Sequence, residues 1–365
     1  MLKGKTLVDF ATEIERQNKV KTDYLLDTRR MVMDADENGA IMTLIDNANH
    51  ENTLLGINDI AHSQIASTLG IPARYYERMQ NENPALLVDN VNAWLNDVPE
   101  GEQNVRMIRT LDGTMRAFLS DRYLRIDNQP IAETVLPILG DLDMSFESME
   151  ITDSKMYIKV VNKRITKEVT PGDYVQSGIM ISNSEVGMGT VTIQPLLYRL
   201  VCTNGMIVND MKGNATKRRH LGRRMEATDD YVLYADDTLM ADSNALMLKI
   251  RDTIKHCLDE VHFTNLVDIM HQATEAKITT NAIPEMVKLA APKFGFTQSE
   301  GNGILDHLIR GGDLSMYGFA NAVTRYAQDV KSYDRSTELE TIGYDIMTMP
   351  EREWRFLNAV EAKVA

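Results

Sequence analysis

Cysteine is nearly absent: of 365 residues only Cys202 and Cys257 are cysteines, and both lie in apolar segments patterned as different elements. That argues against a disulfide framework and for buried free thiols. No apolar run approaches the roughly 20 residues that cross a bilayer. Residues 1–21 carry scattered charges where a signal peptide would have its apolar stretch. A cytoplasmic protein with no membrane contact is therefore expected. Positive charge is also short, with 39 Lys and Arg against 53 Asp and Glu and a net charge of −14. A protein that coats nucleic acid with its whole surface usually has a basic excess, so only a local patch remains open. Internal repeats, Walker loops, Gly-x-Ser-x-Gly, His-Glu-x-x-His and paired CxxC motifs are all missing. A binding function is favoured over a reaction, and no cofactor and no metal is expected.

What is present belongs to a folded chain. The apolar fraction is 43% and the charged fraction 25%, enough for one large or two ordinary domains with sizeable cores. The 22 methionines read as flexible core filler. Leu7 to Lys19 has helical spacing. Thr28–Met33 and Ala40–Ile45 alternate around Asp-Glu-Asn-Gly, which predicts a β-hairpin. Asn58–Leu69, Gly70-Ile-Pro72 and Ala73–Met79 predict helix, turn, helix, a pattern shared by DNA-reading motifs and by ordinary helical hairpins. Pro84–Asn96 continues as an amphipathic helix, and Pro99-Glu-Gly-Glu102 suggests a boundary.

Beyond it, Leu111-Asp-Gly-Thr114 predicts a second hairpin, and the charge changes sign. Arg106, Arg109, Arg116, Arg122 and Arg125 face only Asp112 and Asp121, with Phe118 and Tyr123 interleaved. Cations beside rings suit single-stranded nucleic acid, and solvated strand faces with Arg–Asp pairs are the plain alternative. A helix over Asn128–Leu139 and β segments through Ile193 follow, with Tyr157, Ile158, Val160, Val161, Ile179 and Ile181 as core candidates, and Leu196–Cys202 reads as either strand or helix. The fold class is α+β: a mainly antiparallel β-hairpin core with helical N-terminal and C-terminal portions. The expected division is 1–100 (hairpin plus helices), 101–225 (β-rich core with a basic segment) and 226–365 (helical).

The chain is organised around residues 176–224, where strand-like sequence runs into the densest positive charge. Gly187 and Gly189 flank Met188 without a following Gly-Lys-Ser/Thr, so a turn or bulge using positive φ is expected there, as at Thr203-Asn-Gly205. Lys212, Lys217, Arg218, Arg219, Arg223 and Arg224 then follow with no acid among them, and His220 sits inside the run. The run either contacts a polyanion or clamps an acidic surface. The remainder reads as helices: Ser315 as an N-cap, Asp334, Arg335, Glu338 and Glu340 as a solvated face, and His256 and Cys257 pointing too far apart to share a metal.

Several blocks, in order, carry a resemblance: Leu69-Gly-Ile-Pro-Ala-Arg-Tyr-Tyr-Glu-Arg-Met79, Phe118-Leu-Ser-Asp-Arg-Tyr-Leu-Arg-Ile-Asp127, Ser182-Asn-Ser-Glu-Val-Gly187, Tyr198-Arg-Leu-Val-Cys-Thr-Asn-Gly-Met206, Arg218-Arg-His-Leu-Gly222, Asn321-Ala-Val-Thr-Arg325 and Ser332-Tyr-Asp-Arg-Ser-Thr-Glu-Leu-Glu340. Together they resemble the phage/plasmid-like proteins with the domain of unknown function 932. The resemblance implies a role in the DNA metabolism or host conflict of a mobile element and assigns no catalytic residues. At a coarse level the organisation is also similar to single-strand annealing proteins of phages. The expectation is a non-enzymatic protein that binds nucleic acid, single-stranded DNA above all, as a possible homo-oligomer and recombination factor. The alternative is a host-interaction or inhibitor protein.

Overall fold

The computed structural model describes residues 1–37, 39–45, 52–209 and 236–360, with side chains of the last stretch described from residue 245. Helix α1 (Leu7–Val20) starts where the Thr6 hydroxyl accepts from the Asp9 amide, and it buries Phe10 and Ile14. Strands β1 (Thr22–Asp27), β2 (Met31–Asp36), β3 (Gly39–Leu44), β4 (Thr53–Ile57), β5 (Val105–Leu111) and β6 (Thr114–Ser120) form a six-stranded sheet in the order β1-β5-β6-β4-β3-β2. Both expected hairpins form. The second closes on Asp112 and Gly113 at φ 49° and 73°, the left-handed pair that a two-residue hairpin turn requires. Helices α2 (Asp59–Thr68), α3 (Ala73–Glu82) and α4 (Pro84–Asn96) cover one face. The core there holds Met31, Met33, Met42, Ile65, Val91, Ile108 and Phe118.

The boundary expected near residue 100 does not separate two bodies. β1 pairs with β5 over six positions and β4 runs parallel to β6, so residues 22–57 and 105–120 share one sheet. A local cluster of Pro, Gly and Glu marks a turn, but it carries no information about whether the next strand pairs back.

The second sheet joins β7 (Ser145–Ile151), β8 (Met156–Thr170), β9 (Asp173–Asn183), β10 (Thr192–Arg199) and β11 (Asn204–Ile207) in the order β11-β10-β9-β8-β7, antiparallel throughout. β9 is central, and all but one of its residues are buried, the polar Gln176, Ser177, Ser182 and Asn183 included. On one face Ile158, Val160, Ile179 and Ile181 pack with α1, α5 (Asn128–Asp141) and α6 (Asp236–Cys257). On the other, Tyr157, Val161, Met180 and Ile207 meet Tyr333 at the start of α11 (Tyr333–Met347). Helices α7 (Glu260–Glu275), α8 (Ile283–Phe294), α9 (Gln298–Gly311), α10 (Met316–Tyr326) and α12 (Glu351–Asn358) complete a third apolar cluster with Val175, Leu197 and Met206 of the sheet. Ser315 caps α10 as expected, accepting from the Gly318 amide.

The acidic face expected on α11 is mostly an interior surface. Glu340 is fully buried and accepts from Lys159 Nζ at 2.7 Å, itself fully buried and 4.6 Å from the Tyr333 ring centroid. Asp334 accepts from the Tyr157, Ser154 and Thr152 hydroxyls, and Arg335 forks onto Glu300. Only Glu338 of the four is exposed. Charges outside a period-3.6 apolar stripe read as solvated, and partners far away in sequence reverse that. Among the described residues no helix is long and apolar enough to cross a membrane.

Candidate functional site at the junction of the two sheets

Where β9 ends, residues 182–189 leave the second sheet and run to the first. Ser182 through Val186 are all buried, so every polar group in the turn needs a partner. Asn183 Nδ2 donates to the Ile126 carbonyl at 2.9 Å and to Asn128 Oδ1 at 2.8 Å. Ser184 Oγ donates to the Ser154 carbonyl at 2.7 Å and accepts from the Met188 amide at 2.9 Å, while Tyr123 OH donates to the Ser184 carbonyl at 3.0 Å. Gln64 of α2 donates to the Val186 carbonyl and accepts from the Phe118 amide, each at 2.7 Å. Gly187 has φ 77°, and a Cβ there would stand 2.7 Å from Leu119 Cδ2. The conformation favours glycine, as the Gly-x-Gly reading anticipated for that position, and a larger residue would also have to displace the Leu119 methyl. At Thr203-Asn-Gly205 the positive φ falls on Thr203, at 51°. Gly205 is needed there for close approach, since its Cβ would meet Met1 Cγ at 2.7 Å.

Under this loop lies a network of charges. A β-bulge sets Arg109 opposite Ala117 but Thr110 opposite Met115, leaving Arg116 as the extra residue. A bulge re-aims a side chain, and here both guanidiniums reach Glu185. Arg116 Nη2 donates to Glu185 Oε2 at 2.6 Å, and Arg109 Nη1 donates to the Glu185 carbonyl at 2.9 Å. Arg109 also forks onto Asp23 at 2.9 and 3.1 Å and donates to Asp127 at 2.6 Å. Lys21 Nζ sits 2.8 Å from Asp127 Oδ2, and Glu185 Oε1 accepts from the Asn128 amide at 2.7 Å. Burial pushes the Asp127 carboxyl up, but Arg109 and Lys21 outweigh it and hold it below the usual range. Burial likewise pushes the Tyr123 phenol up. The carboxylates of Asp23, Asp127 and Glu185 balance the cations of Lys21, Arg109 and Arg116. Both oxygens of Asp127 and of Glu185 are engaged by these partners.

These contacts correct part of the expected strand path. Arg109 has no exposed surface, Arg116 is 8% exposed and Phe118 2%. Neither Arg109 nor Phe118 presents a side chain to a ligand, since Arg109 is tied to carboxylates and Phe118 packs with Ile108 in the core, and Arg116 is bound to Glu185 at the floor of a cleft. Arg106 is half-buried with its guanidinium carbon 6.0 Å from the Phe118 centroid. Arg122 and Arg125 are exposed, the latter 3.4 Å from Asp23, and Tyr123 is half-buried against the loop. Lys212, Lys217, Arg218, Arg219, His220, Arg223 and Arg224 lie outside the described residues.

Two clefts flank the loop. One, of about 370 Å³, lies over Arg116, Asn128, Ser154 and Glu185, and its outer wall carries Glu13 and Asp112 bound to Arg16. The other, of about 710 Å³, is lined by Ser182, Gly189, Thr192, Gln194, Asn209 and Arg335 among others. Lys155 lines both, and its ammonium has no ion pair or hydrogen bond among the described residues. Sequence reading missed Lys155, because one lysine in the Thr152–Lys155 turn carries no pattern. Volumes of this size hold nucleotide-sized ligands.

A family model described as a domain of unknown function (DUF932) matches residues 117–359, about two-thirds of the chain. The chain belongs to the DUF932 family. No curated protein and no solved structure matches it. The DUF932 match begins within β6, so it takes in the second sheet, the 182–189 loop, Lys155, Asp127 and Glu185. Asp23, Arg109 and Arg116, which the network draws from the first sheet, precede it.

Proposed function

We propose that this DUF932 protein binds single-stranded DNA without catalysing a reaction, and that it serves recombination in a phage or another mobile element. The observation that carries this reading is the position of Asn209. It lines the larger cleft together with Lys155, and the run Lys212–Arg224 begins three residues later. In sequence the acid-free basic run thus follows directly on a residue of a polar groove in which Lys155 has no ion pair among the described residues. Beyond the 182–189 loop, Arg122 and Arg125 add exposed charge on either side of Tyr123. The larger cleft is the strand path: its acids Asp334 and Glu338 are matched by Lys155 and Arg335, whereas four acids line the smaller one against three cations.

A salt titration tests it. Each single-strand phosphate neutralised contributes a slope of about −0.7 to log K against log salt. Changing Lys217, Arg218 and Arg219 to Glu is expected to flatten the slope by about 2 and to weaken binding at low salt at least roughly tenfold. Wild-type protein that fails to bind a single-stranded oligonucleotide at low salt, or a triple variant that binds as wild type, refutes the reading.

A further inference from the structure

We propose that Met188 is an apolar wedge that enters between neighbouring bases of the bound strand while Lys155 holds an adjacent phosphate, an inference that rests on the single-stranded-DNA reading above. Most of the large apolar residues of this loop and its surroundings are buried, but Met188 is 50% exposed. It follows five buried residues, Ser182 through Val186. The backbone beneath it is held in place: the Met188 amide donates to Ser184 Oγ at 2.9 Å, Ser184 is in turn held by Ser154, and the preceding Gly187 sits at φ 77° beside Leu119. The half-exposed thioether therefore leaves from a fixed backbone position, and the backbone part of the ordering entropy is already met in the free protein.

Its neighbours give the ligand chemistry. Across Gly187 stands the Tyr123 ring, with Cε2 3.8 Å from the position a Cβ would take. Across Gly189 lies the Lys155 stem, with Cε 3.0 Å and Nζ 3.6 Å from the corresponding position. A ring, a polarizable apolar tip and an ammonium with no ion pair among the described residues stand side by side along one short stretch of backbone. A nucleotide in a single strand offers the matching pair, a π-face and a phosphate. Methionine is among the side chains that open base steps as wedges, and its sulfur makes favourable contacts with aromatic rings.

The test uses the full chain and a single-stranded oligonucleotide of about 30 nucleotides containing 2-aminopurine, whose fluorescence rises when its neighbours unstack. Wild-type protein is expected to raise that fluorescence on binding. Met188→Ala should lose the rise, weaken binding roughly 3- to 10-fold, and keep the wild-type salt slope because no phosphate contact is removed. Met188→Trp should restore the rise. If Met188→Ala binds with wild-type affinity and the same fluorescence, the wedge is overturned while DNA binding stands. If wild-type protein does not bind the oligonucleotide, the DNA reading fails and the wedge with it. Thermal unfolding of each variant guards against a folding defect, which a change at an exposed tip is not expected to cause.

Discussion

Replacing Arg109 by Met removes the centre of the buried charge network and tests whether that network joins the two sheets. In the wild type the guanidinium makes four hydrogen bonds, two to Asp23, one to Asp127 and one to the Glu185 carbonyl. Methionine fills most of the volume, so the effect is electrostatic more than a cavity. Asp127 would keep Lys21 at 2.8 Å, and Asp23 would keep only Arg125 at 3.4 Å on the exposed side. Breaking a buried pair by removing one partner costs about 3–5 kcal/mol, a large share of a typical folding stability of about 5–15 kcal/mol. Arg109→Lys keeps the charge but loses the fork and should fall between Met and wild type. The pH dependence has a definite sign. The Asp127 carboxyl is depressed in the folded protein, so its contribution is present above the unfolded value near ~3.9 and is lost as pH falls through the lower folded value. Arg109→Met abolishes most of that depression, so the stability gap to wild type should narrow as pH drops from neutral to about 3.5. Urea unfolding followed by circular dichroism reads both quantities. A variant within about 0.5 kcal/mol of wild type at neutral pH, or a gap that widens in acid, refutes the reasoning.

Gly187→Ala should destabilise by about 1–3 kcal/mol, because alanine meets an unfavourable φ of 77° and a 2.7 Å approach to Leu119. A thermal midpoint equal to wild type would show that the loop is not clamped as described. The two cysteines should react at different rates. Burial pushes the Cys257 thiol up to about 12, whereas Cys202 is half-buried with Arg199 Nη1 3.5 Å from its sulfur. Maleimide labelling read by mass should give one fast adduct on Cys202 in the folded protein and a second only after unfolding. Equal rates would contradict the burial of Cys257.

Much of the fold was legible because its signals are local. Asp112-Gly113 specified a hairpin through the backbone angles it tolerates, Ser315 capped the helix it precedes, and the β character of Gln176–Ser182 fell on strand β9. The candidate site was harder to read. The arginines of β5 and β6 looked like one basic surface because only Asp112 and Asp121 stand near them in sequence, whereas the bulge between Arg109 and Thr110 turns Arg116 toward the same distant acid as Arg109. Phe118 looked like a stacking ring because an aromatic among arginines does not reveal which face it occupies. Glu340 and Asp334 looked solvated for the same reason.

By itself, then, the sequence determined the main helices, the two hairpins and several tight turns, and that the positive charge is local in an acidic chain, while β1 and β4 went unread. Only the tertiary structure decided which charges meet a ligand and which meet each other. Asp23 lies 86 residues from Arg109, and Glu185 lies 69 from Arg116. A guanidinium in water and one locked on a carboxylate have the same local sequence. What separates them is a partner brought within 3 Å by two sheets closing on one loop, and that closure also leaves Met188 and Lys155 facing outward.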